Sequence, residues 1–182
     1  MLPKTTRFPQ GVQFLPLKSY ADPRGELTVL FNQQWKLPFQ MAQLNVVKAK
    51  KNSFRGLHVH TDNHDYLYVL NGTLILGLKD VRHKSSTFLH ASLHELTTAN
   101  PQICLITPGV AHGFYFPEDT LYCYGLSTPW DPDEKLGMHW NSPNLGIDFP
   151  MTSPLLSERD AKAGSLCDLL EYISQEKIDF KL

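Results

Sequence analysis

Short apolar runs broken by Gly, Pro, Asn and Asp turns dominate the chain up to about residue 127. Runs of that length bounded by turn residues argue for strands rather than helices. The clearest is the run in which Leu74, Leu76 and Leu78 alternate with Thr73, Ile75, Gly77 and Lys79, giving one plainly apolar face. Just ahead of it Asn71-Gly72 marks a tight hairpin, because both residues tolerate positive φ. Further strands are expected over residues 11–17, 27–31 and 40–48, with a turn at Asp22-Pro23-Arg24-Gly25 and with Gln43 and Asn45 on one face. Residues 87–93, 102–107, 113–116 and 121–126 supply the rest. Strands at this density predict an all-β jelly-roll barrel, closed or nearly so, which hides its edges. Beyond Pro129 the pattern changes. Residues 130–154 are rich in Pro, Asn and Asp and read as an ordered arm lying over the barrel. Ser165-Leu166-Cys167-Asp168 then opens with a capping-box pattern, and Leu166, Leu169, Leu170 and Ile173 recur at helical spacing. A short C-terminal helix packed on the barrel is expected.

A chain of 182 residues is most simply one domain, with a barrel core over about 12–128 and the arm and helix over 129–182. Its net charge of -1 gives no electrostatic case for nucleic acid or an anionic membrane as partner. No run of about 18 apolar residues is present to span a bilayer. Residues 1–5 lack the apolar core of a signal peptide. Cys104, Cys123 and Cys167 are odd in number, widely spaced and set in apolar sequence, so they are expected as buried free thiols. A reducing cytoplasm is the matching compartment.

The chemistry concentrates in residues 54–72. A strand there carries His58 and His60, which lie two apart and so share a face; a polar loop follows, and a second strand opens at Asp65. Ionisable groups converging where two strands meet are expensive to bury without a reason. Four residues separate His60 from Asp65 and six separate Asp65 from Gly72. That spacing resembles the first signature of the cupin barrels, and Gly109-Val110-Ala111-His112 resembles the second, which adds an inward histidine.

From about residue 12 to 163 the chain further resembles the nucleotide-sugar 3,5-epimerases, named for dTDP-4-dehydrorhamnose 3,5-epimerase. The matching pieces include Asp22-Pro23-Arg24-Gly25, Gln43-Leu44-Asn45, Arg55-Gly56-Leu57-His58 and Pro108-Gly109-Val110-Ala111-His112-Gly113-Phe114. They continue with Pro132-Asp133-Glu134, Trp140-Asn141-Ser142-Pro143-Asn144-Leu145-Gly146-Ile147 and Leu156-Ser157-Glu158-Arg159-Asp160-Ala161. The resemblance implies a dimeric jelly roll with no required cofactor, acting on a 4-keto-6-deoxy sugar attached to a nucleoside diphosphate. It implies His58 as the base and Asp160 as the carboxylate that orients its ring. Arg24, Gln43, Arg55 and His112 would hold the diphosphate and sugar; an Arg fork donates two hydrogen bonds at once. An inward, buried Arg55 beside His58 makes structural sense only if an anion arrives. Plainer roles also exist: His58 as a hydrogen-bonded core histidine, and Asp160, three after Ser157, as part of a helix cap.

Two positions depart from the family pattern. The family's lysine on the strand after the base is Asp65 here, and its tyrosine acid falls at Pro129 or Trp130. Indole N–H donates hydrogen bonds but is no acid at working pH. An aspartate beside a forming enolate suits a cation between them. His58, His60, Asp65 and His112 would make a three-histidine, one-carboxylate set for a divalent transition metal. In that alternative a metal-dependent enzyme replaces the free base at His58. A third reading is a sugar-nucleotide binding protein that has lost the acid and its catalysis.

Overall fold

Period-two alternation folds most of the chain into antiparallel strands. The computed structural model describes residues 8–131, 134 and 136–181; residues 1–5, and Pro132 and Asp133 of the quoted motif, lie outside them. In chain order the strands are β1 (Gln13–Pro16), β2 (Ser19–Asp22), β3 (Gly25–Thr28), β4 (Gln43–Ala49), β5 (Ser53–His58) and β6 (Asp65–Asn71). They continue with β7 (Thr73–Asp80), β8 (Ala91–Thr97), β9 (Gln102–Ile106), β10 (Val110–Phe116) and β11 (Thr120–Leu126). Two helices follow, α1 (Glu158–Ala161) and α2 (Leu166–Gln175). One sheet runs β1-β9-β6-β11-β4, a second β5-β10-β7-β8, and β2-β3 stand apart as a hairpin.

The two larger sheets face each other across an apolar interior. Leu67 and Val69 of β6, Leu74, Leu76 and Leu78 of β7, Phe116 and Tyr122 fill it. Both outer faces are covered too. Tyr66, Tyr68, Ile103 and Leu105 pack under residues of the N-terminal region that include Leu30, Trp35 and Phe39, and the Tyr66 hydroxyl donates to the Leu30 carbonyl. On the other sheet the arm and helix lay Met138, Leu145, Ile147, Phe149, Leu166, Leu169 and Ile173 against Phe54, Ile75 and Tyr115. The strand β7 is therefore buried on both sides, where its alternation had suggested one apolar face. Gly77 leaves the space that the Phe149 ring occupies.

The capping box of α2 is present, with Ser165 and Asp168 bonded reciprocally. Three expectations shift. The strand placed over 87–93 is β8, some four residues later, because the intervening loop is tied to Asp80. Ser85 Oγ and Thr87 Oγ1 each donate to Asp80 Oδ2 at 2.6 Å, and Arg82 Nε donates to Oδ1 at 2.8 Å. The strand placed over 27–31 is β3, which starts earlier, at Gly25, and ends at Thr28. Cys104 and Cys123 are buried free thiols, but Cys167 is exposed on α2. No described helix is long and apolar enough to cross a membrane.

Candidate active site

At one end of the sandwich the sheets part around a cavity of about 630 Å³. Strand parity aims side chains into it: Asp65 shares the inner face of Leu67 and Val69, and His112 that of Val110 and Phe116. His58 pairs with His112 across the β5–β10 ladder. Gly56 makes this close approach possible. Its φ is +116°, and a Cβ there would sit 2.6 Å from the His112 carbonyl oxygen and 2.7 Å from Gly113 Cα.

His58 Nε2 lies 2.7 Å from Asp160 Oδ1. The Gly56 N–H donates to Asp160 Oδ2 at 3.4 Å, while the Asp160 N–H donates to Ser157 Oγ, the N-cap of α1. Capping and ring orientation are thus compatible duties within one turn of helix. Burial alone would raise the Asp160 carboxyl. Its hydrogen bond to His58, the His58 charge and the donors at Ser157 and Gly56 outweigh that and hold it below the ordinary carboxylate range. The His58 side chain keeps 28% of its surface exposed, against 5% for Asp160, so the ring is the more open of the two groups at the cavity wall.

A second group sits deeper. His60 Nε2 is 3.7 Å and His112 Nε2 3.9 Å from Asp65 Oδ2, which has no hydrogen-bond partner. His60 Nδ1 is 2.6 Å from Glu134 Oε2, and Glu134 Oε1 accepts from the Thr61 N–H. His112 Nδ1 donates to its own strand's Val110 carbonyl at 3.1 Å. Burial pushes Asp65 up to about 6, despite the pull of His60. Burial also drives His112 well below the usual histidine range, with repulsion from His60 and His58 adding to it. At His60 burial acts downward, but Asp65 and Glu134 together win and raise it. Nearer the mouth, Lys48, Lys50, Arg55 and Arg159 bring positive charge, and Tyr122, Tyr124 and Trp130 supply aromatic wall.

The family model for dTDP-4-dehydrorhamnose 3,5-epimerase matches residues 8–168. The chain belongs to that family. Its relatives include the dTDP-4-dehydrorhamnose 3,5-epimerase of Salmonella typhimurium, 30% identical over 164 residues, or 84% of this chain and 88% of the relative. The dTDP-4-dehydrorhamnose 3-epimerase of Streptomyces niveus is 28% identical over 163 residues, or 85% of this chain and 79% of the relative. A solved structure of the Legionella pneumophila dTDP-6-deoxy-D-glucose-3,5-epimerase in complex with dTDP-4-keto-L-rhamnose matches with TM-score 0.83 at 26% identity, covering 94% of each chain. The family is one of isomerases, and its epimerases are cofactor-independent.

Of the residues singled out from the family resemblance, the fold brings His58, Asp160, Arg55 and His112 to the cavity. Arg55 is exposed there rather than buried. Arg24 and Gln43 do not line it. Arg24, with a side chain 90% exposed, pairs with Asp22 at the β2–β3 turn. Gln43 bonds Asn45 and accepts from the Trp130 N–H. Of the four residues offered as a metal set, His60, Asp65 and His112 converge, and His58 is turned to Asp160 instead. Tyr122, Tyr124, Glu134 and Arg159 were not foreseen. The two tyrosines lie two apart on β11, so parity carried a signal for them; Glu134, in the irregular arm, was marked only by the Pro132-Asp133-Glu134 piece of the family pattern.

Proposed function

We propose that the protein is an epimerase of a nucleoside-diphosphate-linked 4-keto-6-deoxy sugar, working by removal of a proton beside the ketone. The observation that carries this is the His58–Asp160 pair at 2.7 Å, its ring open to the cavity. A proton beside a ketone is acidic enough to transfer once the enolate oxygen is stabilised, and a positioned imidazole is suited to take it. Asp160 fixes the orientation of the ring. Arg55, with Lys48, Lys50 and Arg159 near it, offers the diphosphate a cationic rim. His112 lies beside the sugar. The sugar nucleotide held by the Legionella relative is of this substrate class.

Inversion needs a donor on the opposite face, and where the family resemblance puts its acid this chain carries Pro129 or Trp130, neither of which gives up a proton at working pH. We therefore expect inversion to be slow or confined to one carbon; the Streptomyces niveus relative named as a 3-epimerase fits the narrower reaction. The working unit is a homodimer. Leu44 and Val46 are 58% and 63% exposed on the edge strand β4, and Leu27 is 63% exposed on the nearby-sequence hairpin. Arg24 can serve a site only from a partner, because it does not line its own chain's cavity. A cytoplasmic setting suits the free thiols.

The test is deuterium uptake at C3 and C5 of a dTDP-linked 4-keto-6-deoxy sugar, followed by NMR beside the formation of inverted product. Uptake that requires His58 supports the reading. Tight binding with no uptake would leave a silent sugar-nucleotide binding protein.

A further inference from the structure

The charge that proton removal sends to a ketone oxygen needs a donor or a cation waiting for it. The lysines and arginines described on the cavity wall, Lys48, Lys50, Arg55 and Arg159, are all exposed, where water screens them and a diphosphate would engage them. His112 lies deep but has nothing to donate. Its Nδ1–H is spent on the Val110 carbonyl, and burial with the neighbouring histidines keeps the ring neutral, so Nε2 holds a lone pair.

His60 differs. It stands between two carboxylates, and its side chain, 17% exposed, lines the same cavity. Nδ1 lies 2.6 Å from Glu134 Oε2; a carboxylate oxygen accepts, so Nδ1 carries a hydrogen. Glu134 is itself fixed by the Thr61 N–H. Nε2 lies 3.7 Å from Asp65 Oδ2, beyond hydrogen bonds, which end near 3.2 Å, but well within reach of the charge. Negative charge on two sides favours the ring protonated at both nitrogens, and it outweighs burial and Arg159, which act the other way. The Nε2–H is then a charged donor with no hydrogen bond among the described residues. The same ring accounts for Asp65, whose Oδ2 accepts no hydrogen bond but has a positive charge beside it.

We propose that His60, held between Glu134 and Asp65, is a catalytic residue that donates its Nε2–H to the substrate's ketone oxygen and stabilises the enolate, with Glu134 as its positioning residue. This rests on the epimerase reading above. His58 takes the proton from the carbon beside the ketone, the C–H electron pair becomes the carbon–carbon double bond of the enolate, and the carbonyl π pair moves onto the oxygen that His60 bonds. Return of a proton to the carbon reverses the flow, and His60 keeps its own proton throughout. A ring protonated at both nitrogens has no lone pair to give a metal, which fits the cofactor independence of the family's epimerases.

Three readouts on the full chain test this: deuterium exchange at C3 and C5 of a saturating dTDP-linked 4-keto-6-deoxy sugar, dTDP affinity by calorimetry, and the ¹³C resonance of C4 in the bound sugar. In wild type the donor should polarise the carbonyl and move C4 downfield. His60→Gln keeps an N–H but not the charge; exchange should fall about 10²–10³-fold, the C4 shift should shrink, and dTDP affinity should hold. Glu134→Gln, which leaves the ring in place, should lower exchange by a smaller factor, again without moving dTDP affinity. Undiminished exchange in both variants overturns the role of His60 and leaves the epimerase reading standing. A loss of exchange matched by an equal loss of dTDP affinity marks a structural role and overturns it too. Wild type that binds the sugar without exchange sinks the epimerase reading; a downfield C4 shift that vanishes in His60→Gln would then still uphold the contact with the oxygen, and its absence would sink that as well.

Discussion

Replacing His58 by Ala removes the ring and leaves Asp160 with only Gly56 and Ser157 as partners, so exchange of substrate protons into solvent is expected to fall to background. Asp160→Asn keeps a hydrogen-bonding group beside the ring but removes the charge, and should slow exchange without abolishing it. Both are read by deuterium uptake at C3 and C5. Unchanged exchange in His58→Ala would remove it as the base. Trp130, 57% exposed at the cavity mouth, sets a second expectation. General acid catalysis contributes about 10²–10⁴-fold, so in wild type exchange should outrun inversion by a margin in that range. Trp130→Tyr should narrow the margin. If wild type inverts both carbons as fast as it exchanges, another residue is the acid. Tyr124, a phenol on the cavity wall, is the first to replace by Phe.

At the scale of elements, the approach of β5 to β10 depends on Gly56. Ala there would meet the His112 carbonyl and Gly113 in a backbone conformation that side chains rarely adopt. Overpacking of this kind costs about 1–3 kcal/mol, and it should show as a lower thermal midpoint together with weaker exchange, because His58 and His112 pair across that ladder. The turn after β7 carries a different load. Asp80 is 0% exposed; burial would raise it, but the hydrogen bonds from Arg82, Ser85 and Thr87 outweigh burial and lower it. A carboxyl lowered on folding stabilises above its unfolded value of 3.8, and that contribution is lost as the pH falls through the still lower folded value. Thermal midpoints measured from pH 7 to 2 should therefore fall below about pH 4. Asp80→Ala should lose about 3–5 kcal/mol at pH 7, because it leaves the Arg82 charge buried and unpaired, and should flatten that acid limb.

For the whole molecule, the exposed apolar edge of β4 leads to an oligomeric expectation. Light scattering at micromolar concentration should find a dimer. Val46→Lys together with Leu44→Lys should give a monomer and reduce affinity for the sugar nucleotide, since Arg24 would then reach no site. A wild-type monomer, or full affinity in a monomeric variant, would end the shared-site idea.

Much of this was determined by the sequence alone, because strand parity is local. Alternation along β6, β7 and β10 assigned Asp65, the Leu74-Leu76-Leu78 face and His112 to the interior, and the capping box set the start of α2. The jelly-roll class followed from turn residues at short intervals. What parity cannot set is the direction of a ring or the course of an irregular segment. His58 and His60 share a strand face in sequence, yet one ring is held by Asp160, 102 residues away, and the other by Glu134, 74 residues away. Those partners come from the arm and from α1, whose course follows from covering the outer face of the β5-β10-β7-β8 sheet. Only tertiary packing therefore separated His58 from the Asp65 cluster, and only it left Arg24 outside its own chain's cavity.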